Sequence, residues 1–210
     1  MITRFLLIGV LSLMALPTYA QFGLSADLGL HYNQTVFTQS ETFNGRGQLS
    51  GAAGLEASAL IGKRFRIYGR FDLYRTTTQI EDLEFNRYQH TYLSLSPLVG
   101  WQWAPSFETM FGFYTALNLK ERFEVEVEGD WMEIPEAFQT DRPLTDLGLK
   151  LGVRYRMARF YVQAFYLHGL VDVETFNYTD INGAPIPLGE RYRQVQIGVG
   201  YYIIDPQRKE

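Results

Sequence analysis

The sequence contains no cysteine among its 210 residues. Disulfide bonds, thiolate metal sites and a lipid-modified cysteine at a cleavage site are therefore excluded. Net charge is also small, at −4, and the acidic residues are spread along the chain. A charge balance of this kind gives no support to nucleic-acid binding, so we expect no nucleic-acid partner.

Long hydrophobic runs are lacking outside the N-terminus, so the mature chain has no candidate transmembrane helix. The N-terminal segment has the parts of a secretory signal: a single charge at Arg4, an apolar stretch over 5–16, and a small residue, Ala20, at the cleavage point. This apolar stretch is too short to span a bilayer as a helix. We predict a cleaved signal peptide over 1–20, one domain over 21–204 and a short periplasmic tail over 205–210.

Aromatic residues and glycine, in contrast, are abundant. Aromatics make up 15% of the chain and glycine occurs 19 times, while the mean hydropathy is only −0.14. The first mature segment alternates between apolar and polar residues, and its apolar positions are Phe22, Leu24, Ala26, Leu28, Leu30 and Tyr32. Period-two alternation over twelve residues predicts a long β-strand with one apolar face.

The same alternation recurs seven more times, which predicts strands over 22–33, 49–61, 65–75, 88–103, 107–119, 146–156, 160–170 and 194–203. Short connections follow the second, fourth and sixth strands. Long connections follow the others, over 34–48, 76–87, 120–143 and 172–190. This asymmetry is typical of outer-membrane barrels. We predict an all-β fold: an eight-stranded antiparallel transmembrane β-barrel with short periplasmic turns and long extracellular loops.

The composition of the two strand faces favours a membrane barrel over a soluble one such as a lipocalin. One face is almost uncharged Leu, Val, Ile and Phe, and the other holds Gly, Ser and isolated charges. In water the first face would expose a larger apolar surface than a monomer tolerates. Outward aromatic residues near the short-turn ends predict a periplasmic girdle of Phe22, Phe65, Trp101, Trp103, Tyr155 and Tyr201, joined by Phe107 and Phe160. Pro97 lies inside the fourth strand, and because proline cannot donate a ladder hydrogen bond we expect a bulge in that strand, at a position that the sequence does not fix.

The lumen of an eight-stranded barrel has room only for side chains, which argues against an open channel. Charges inside it must be paired. The predicted lumenal network is Asp27, Glu56, Arg66, Arg70, Asp72, Lys150 and Arg154, with Asp146 and Arg156 as further candidates. Across the second hairpin, one register places Glu56 opposite Arg70, and the next places it opposite Asp72. The like-charge pair is unfavourable, so we predict the pair Glu56–Arg70.

An acidic segment occupies the third long connection, with Glu124, Glu126, Glu128, Asp130, Glu133 and Glu136. A solvated loop is the default interpretation of such a charge run. Residues 123–128 also alternate, which indicates that strands extend beyond the membrane there. The more specific hypothesis is that this acidic segment forms a cation-bridged or protein-binding surface.

Several segments also resemble the PorT-like outer-membrane β-barrel proteins. They are Y-L-S-L-S-P-L-V at 92–99, D-L-G-L-K-L-G at 146–152, Y-L-H-G-L-V-D-V at 166–173 and I-G-V-G-Y at 197–201. Two features depart from the family pattern: Phe165, where the family often carries Arg, and the tail after the last strand. The resemblance implies an outer-membrane barrel and, through PorT, an accessory role in outer-membrane secretion or assembly.

These observations predict a non-enzymatic integral protein of the bacterial outer membrane. It would act through its extracellular loops or as an accessory to secretion, as a monomer, with outer-membrane lipid or lipopolysaccharide around it and a possible protein partner. We predict no catalytic, cofactor-binding or metal-binding residues. The alternative is a lipid A-modifying enzyme using His31, His90 and Ser94, which are predicted to face inward near the outer rim.

Overall fold

The computed structural model describes residues 21–38, 45–61, 63–80, 86–133, 145–179 and 185–205. Its strands are β1 (Gln21–Thr38), β2 (Gly45–Ile61), β3 (Phe65–Ile80), β4 (Asn86–Ala104), β5 (Phe107–Val127), β6 (Asp130–Glu133), β7 (Thr145–Met157), β8 (Phe160–Gly169), β9 (Glu174–Thr179) and β10 (Pro185–Ile204). The predicted signal peptide over 1–20 and the last five residues of the predicted tail lie outside the described residues.

Eight of these strands close into an antiparallel barrel, which confirms the predicted fold class. Each pairs with its sequence neighbour in the order β1-β2-β3-β4-β5-β7-β8-β10, and β10 pairs back to β1. The closing seam is continuous from Ser25 opposite Tyr202 to Thr38 opposite Gly189. The remaining two strands, β6 and β9, are not part of the eight-stranded wall. They pair antiparallel with the long-loop ends of β5 and β10 respectively.

Along the membrane-spanning parts of the strands, side chains alternate between lumen and exterior. On β1 the side chain of Leu28 is 72% exposed, whereas its neighbour Asp27 is 5% exposed. The same alternation runs along β5 and β8. The outward positions form an apolar band around the wall. Among the described residues, no helix is long and apolar enough to cross a membrane.

The closed wall and the outward apolar band together show that the barrel is built to span a membrane. Closure pairs the strand edges, so the backbone can be surrounded by hydrocarbon without unsatisfied polar groups. An outward apolar band on such a wall is the defining feature of outer-membrane barrels. The protein is therefore an integral barrel of that membrane, and its short turns lie on the periplasmic side.

The long connections contain more strand than the sequence predicts. Strands β1 and β3 continue to Thr38 and Ile80, and β5 continues to Val127. The prediction of loops over 34–48, 76–87, 120–143 and 172–190 is wrong for these parts. Above the membrane the outward face no longer meets lipid and carries polar residues, so the apolar–polar contrast that reveals a strand in the sequence is lost.

The bulge expected in the fourth strand does not lie at Pro97. Pro97 lies opposite Gly69 of β3 in unbroken register. On its other side the pairing with β5 skips Ser96 and Pro97 and resumes at Leu98 without a shift. The missing N–H therefore costs a local interruption of one ladder, and no extra residue is inserted. The register between β4 and β5 shifts elsewhere, at Trp103 of β4 and at Leu119 of β5.

Candidate functional site

The centre of the lumen is a buried ion network around Arg70. The guanidinium donates to both oxygens of Asp27, from Nη1 to Oδ2 at 2.7 Å and from Nη2 to Oδ1 at 2.9 Å. Its Nη2 also lies 2.6 Å from Asp72 Oδ1. All three side chains are 0–1% exposed. A bidentate contact of this kind fixes the orientation of the planar guanidinium.

The predicted register of the second hairpin is confirmed, because Glu56 lies opposite Arg70. The two side chains are 3.6 Å apart, from Glu56 Oε2 to Arg70 Nη1. The shorter contacts of Glu56 are made across the lumen with Arg154. Arg154 Nη1 and Nη2 donate to Glu56 Oε1 and Oε2 at 2.8 and 2.7 Å, and Nη2 also donates to Gln163 at 2.7 Å.

Lys150 completes the network from the same strand as Arg154. Its Nζ donates to Asp72 Oδ2 at 2.6 Å and lies 4.6 Å from the ring centre of Phe165. Three carboxylates from β1–β3 are thus matched by three cations from β3 and β7: Asp27, Glu56 and Asp72 against Arg70, Lys150 and Arg154. These pairings cross the barrel and fill it at this level.

The remaining predicted lumenal charges lie at the two ends. Arg66 faces Glu108 near the periplasmic end, with Nη1 and Oε2 3.7 Å apart. Arg156 contacts Asp205, which follows the last strand. Asp146 is buried and accepts a hydrogen bond from Tyr114 OH at 2.8 Å. The sequence reasoning missed Glu108, although its position between outward-facing Phe107 and Thr109 would have indicated an inward side chain.

The predicted girdle residues lie at the short-turn ends of their strands. Phe65 contacts Trp101 edge-on, with ring centres 4.6 Å apart, and Trp101 contacts Trp103 at 6.2 Å. On the opposite wall Phe160 contacts Tyr201 at 5.2 Å. The large exposed side chains at this level include Phe22, Phe65, Trp103, Phe107, Tyr155, Phe160 and Tyr201.

A second polar cluster lies at the extracellular end of the lumen and joins residues of three strands. Thr35 of β1 and Thr78 of β3 each place a hydroxyl 3.3 Å from Glu190 Oε1 of β10, and the two hydroxyls are 2.7 Å apart. Glu190 is 3% exposed. It lies beyond Arg193, which faces outward above the apolar band. Burial raises the pKa of Glu190 to about 7, and the hydrogen bonds that it accepts oppose this shift only in part.

The acidic segment folds as a hairpin of β5 and β6. The default interpretation of the sequence was a solvated loop. The hairpin turns at Glu128 and Gly129, both with positive φ, of 54° and 90°. Glu124 is buried between Arg87, with which it forms an ion pair, and Gln89, whose Nε2 donates to it at 3.0 Å. Glu126, Glu128, Asp130 and Glu133 lie on or beside the hairpin, and Glu136 lies outside the described residues.

The residues of the enzyme alternative do not form a hydrogen-bonded nucleophile–base pair. The ring of His31 stacks on Tyr74 with centres 4.4 Å apart. His90 Nδ1 contacts the Asn118 amide at 3.2 Å. Within the described part of the chain Ser94 Oγ has no hydrogen-bond partner, so neither histidine is placed to activate it. The described residues also include no group of three or more potential metal ligands among His, Asp and Glu.

No protein-family model matches the sequence, and no curated protein matches it. Solved structures, however, match the fold of this chain. Neisserial surface protein A (NspA) is 14% identical, with 86% of this chain and 96% of that chain covered and a TM-score of 0.50. The Yersinia pestis attachment invasion locus protein Ail, in complex with the heparin analogue sucrose octasulfate, is 13% identical, with 86% and 99% covered and a TM-score of 0.50. At these identities the likeness establishes a shared fold: the chain is built as a bacterial eight-stranded outer-membrane β-barrel.

Proposed function

We propose that the protein is a non-enzymatic outer-membrane anchor that presents an extracellular β-sheet to a protein partner. The observation that carries this proposal is the projection of β4, β5 and β6 beyond the apolar band as a folded sheet. A channel function is disfavoured by the ion network, which fills the lumen with side chains of 0–1% exposure.

The sheet is held in place by specific contacts. Arg87 of β4 pairs with Glu124 of β5, and its guanidinium carbon lies 4.2 Å from the ring centre of Trp131 on β6. A cation above the face of an indole is a favourable arrangement. The three strands are therefore tied together on the face that continues the outer wall.

The opposite face of the hairpin carries exposed apolar side chains beside Asp130. Val125 lies opposite Met132, and Val127 opposite Asp130. Val127 and Met132 are 48% and 58% exposed. Exposed apolar side chains beyond the membrane band, next to acidic ones, are typical of a protein interface. The partner expected here has an apolar surface rimmed by basic groups.

The proposal is tested by site-specific photocrosslinking in intact cells. A photoreactive residue replaces Met132, and the matched control replaces Met157, which is 46% exposed at the periplasmic end of β7. We expect an adduct at 132 that is absent at 157 and is weakened by Val127→Ser. A partner identified as secretion machinery would support the accessory role implied by the PorT-like resemblance. Absence of an adduct at 132 in a correctly inserted barrel would contradict the proposal.

The alternative, a lipid A-modifying enzyme, has a separate test. Lipid A from cells with and without the protein is compared by mass spectrometry. Because Ser94 and the two histidines are not hydrogen-bonded to one another, we expect identical lipid A. A mass difference that disappears in Ser94→Ala or His90→Ala would overturn the non-enzymatic assignment.

A further inference from the structure

We infer that the barrel carries a phosphate-binding site for outer-leaflet lipid on its exterior, formed by Arg75, Thr91 and Lys120. These residues share one rung across three neighbouring strands: Arg75 of β3 lies opposite Thr91 of β4, which lies opposite Lys120 of β5. The site lies on the outer wall and does not depend on the protein partner proposed for the extracellular sheet.

A bulge in β5 turns Lys120 toward the exterior. Leu117 faces outward and Asn118 inward, so regular alternation would point Lys120 into the lumen. The register shifts here, with Tyr92 opposite Asn118 but Thr91 opposite Lys120, so that Leu119 is the extra residue. Leu119 and Lys120 are both exposed. The Lys120 N–H donates to Asn118 Oδ1 at 3.2 Å, which supports the bulged backbone. Re-aiming a side chain is a recurrent role of β-bulges.

The height of the rung matches the outer edge of the apolar band. Ten residues of β3 separate Phe65, in the periplasmic girdle, from Arg75. This is about 33 Å of strand, and at a tilt of about 40° it rises about 25 Å, the height of the apolar band in such barrels. The next rung toward the membrane is wholly apolar, with Leu73, Leu93 and Leu117 facing outward. Lipid phosphates lie at this boundary.

The chemistry of the rung suits a phosphate. Residues two strands apart are separated by about 10 Å, so the long side chains of Arg75 and Lys120 can converge on one anion above Thr91. The guanidinium offers two parallel donors, and the hydroxyl and the ammonium supply further ones. Within the described part of the chain, neither Arg75 nor Lys120 has a carboxylate within ion-pair distance, unlike Arg87 and Arg191.

The site is tested by native mass spectrometry of the detergent-solubilised barrel titrated with bisphosphorylated lipid A. We expect Arg75→Gln/Lys120→Gln to weaken retention about tenfold or more, because two charge-assisted contacts are lost. The charge-conserving Arg75→Lys/Lys120→Arg should retain most of the binding. The matched control is Lys63→Gln/Arg64→Gln, which removes the same charge from an exposed periplasmic turn and should leave retention unchanged.

Three further probes identify the ligand. Lipid A treated with phosphatase should bind the wild-type barrel as weakly as intact lipid A binds Arg75→Gln/Lys120→Gln. Inorganic phosphate and phosphatidylglycerol should compete only weakly. The inference is overturned if the Arg75/Lys120 variant retains lipid A like the wild type, if both double variants lose it equally, or if free phosphate competes as well as the lipid. Heat-modified mobility of each variant verifies that it is folded.

Discussion

The lumen at membrane level and the extracellular sheet both contain charged side chains on β-strands, but the two regions pair these charges in different ways. In the central ion network of the lumen the carboxylates are fully buried, and Asp72 and Glu56 contact Lys150 and Arg154 of β7 across the barrel. In the sheet the charges pair between neighbouring strands and stay partly exposed, as Arg87 and Glu124 do. The contacts with β7 depend on closure of the whole barrel, whereas the pairing in the sheet is local. The two regions should therefore respond very differently to loss of one charge.

The largest effect is expected for Asp72→Asn. The change leaves Lys150 buried without its counter-charge, and breaking a buried pair on one side typically costs about 3–5 kcal/mol. Urea unfolding in lipid vesicles, followed by the fluorescence of the girdle tryptophans, measures the loss. The control Asp130→Asn lies in the exposed hairpin turn and should change the free energy of unfolding by less than about 0.5 kcal/mol. Equal effects in the two variants would refute the contrast between the regions.

The next effect is a pH dependence set at the extracellular mouth. Because burial raises the pKa of Glu190 from 4.5 to about 7, the folded barrel favours the protonated carboxyl. Its contribution to stability is full below pH 4.5 and falls as the pH rises to about 7, by roughly 2–3 kcal/mol between pH 5 and 8. Glu190→Gln should remove this fall. A wild-type curve that Glu190→Gln leaves unchanged would show that Glu190 is not its source.

A double-mutant cycle measures how far the lumenal network acts as a unit. Glu56→Gln and Arg154→Gln each remove one side of the same bidentate pair. We expect the double variant to be less destabilised than the sum of the two, with a coupling energy of about 0.5–3 kcal/mol. Thr109→Ser, at an outward position, provides the unrelated partner for a reference cycle. Strict additivity of Glu56 and Arg154 would mean that the pair contributes no specific interaction.

The smallest effect is expected in the extracellular sheet. Arg87→Gln removes a partly exposed ion pair and the stacking on Trp131, and such surface pairs contribute about 0–1 kcal/mol. Unfolding should barely change, while photocrosslinking at position 132 should weaken because the hairpin is less firmly held. A loss of stability as large as that of Asp72→Asn would show that the sheet belongs to the cooperative core of the barrel.

The same contrast explains what the sequence could predict. Within the membrane, alternation such as Asp27 beside Leu28 reports which face each residue occupies, because lipid and lumen demand opposite polarity. The barrel, the number of strands in its wall and the residues of its central ion network were predictable from that signal. Hairpin geometry then limited Glu56 to two registers, and charge selected between them.

Other features depend on information that alternation does not contain. The contact of Glu56 with Arg154 follows from where β7 lies after closure, which no local pattern records. Glu190 was assigned to a loop because both faces of β10 above the membrane are polar or mixed. The bulge at Leu119 inverts the faces of the following residues, so period-two counting fails beyond it.

One consequence of the neutral lumenal network concerns assembly. The network residues of β1–β3 are three acids and one base, Asp27, Glu56, Asp72 and Arg70, whereas those of β7 are two bases, Lys150 and Arg154. Alone, the β1–β3 part would carry two uncompensated negative charges, and β7 would carry two uncompensated positive charges. A partly assembled barrel therefore pays a desolvation cost in the bilayer that only the meeting of the two walls removes. The network thus favours complete closure over any open intermediate.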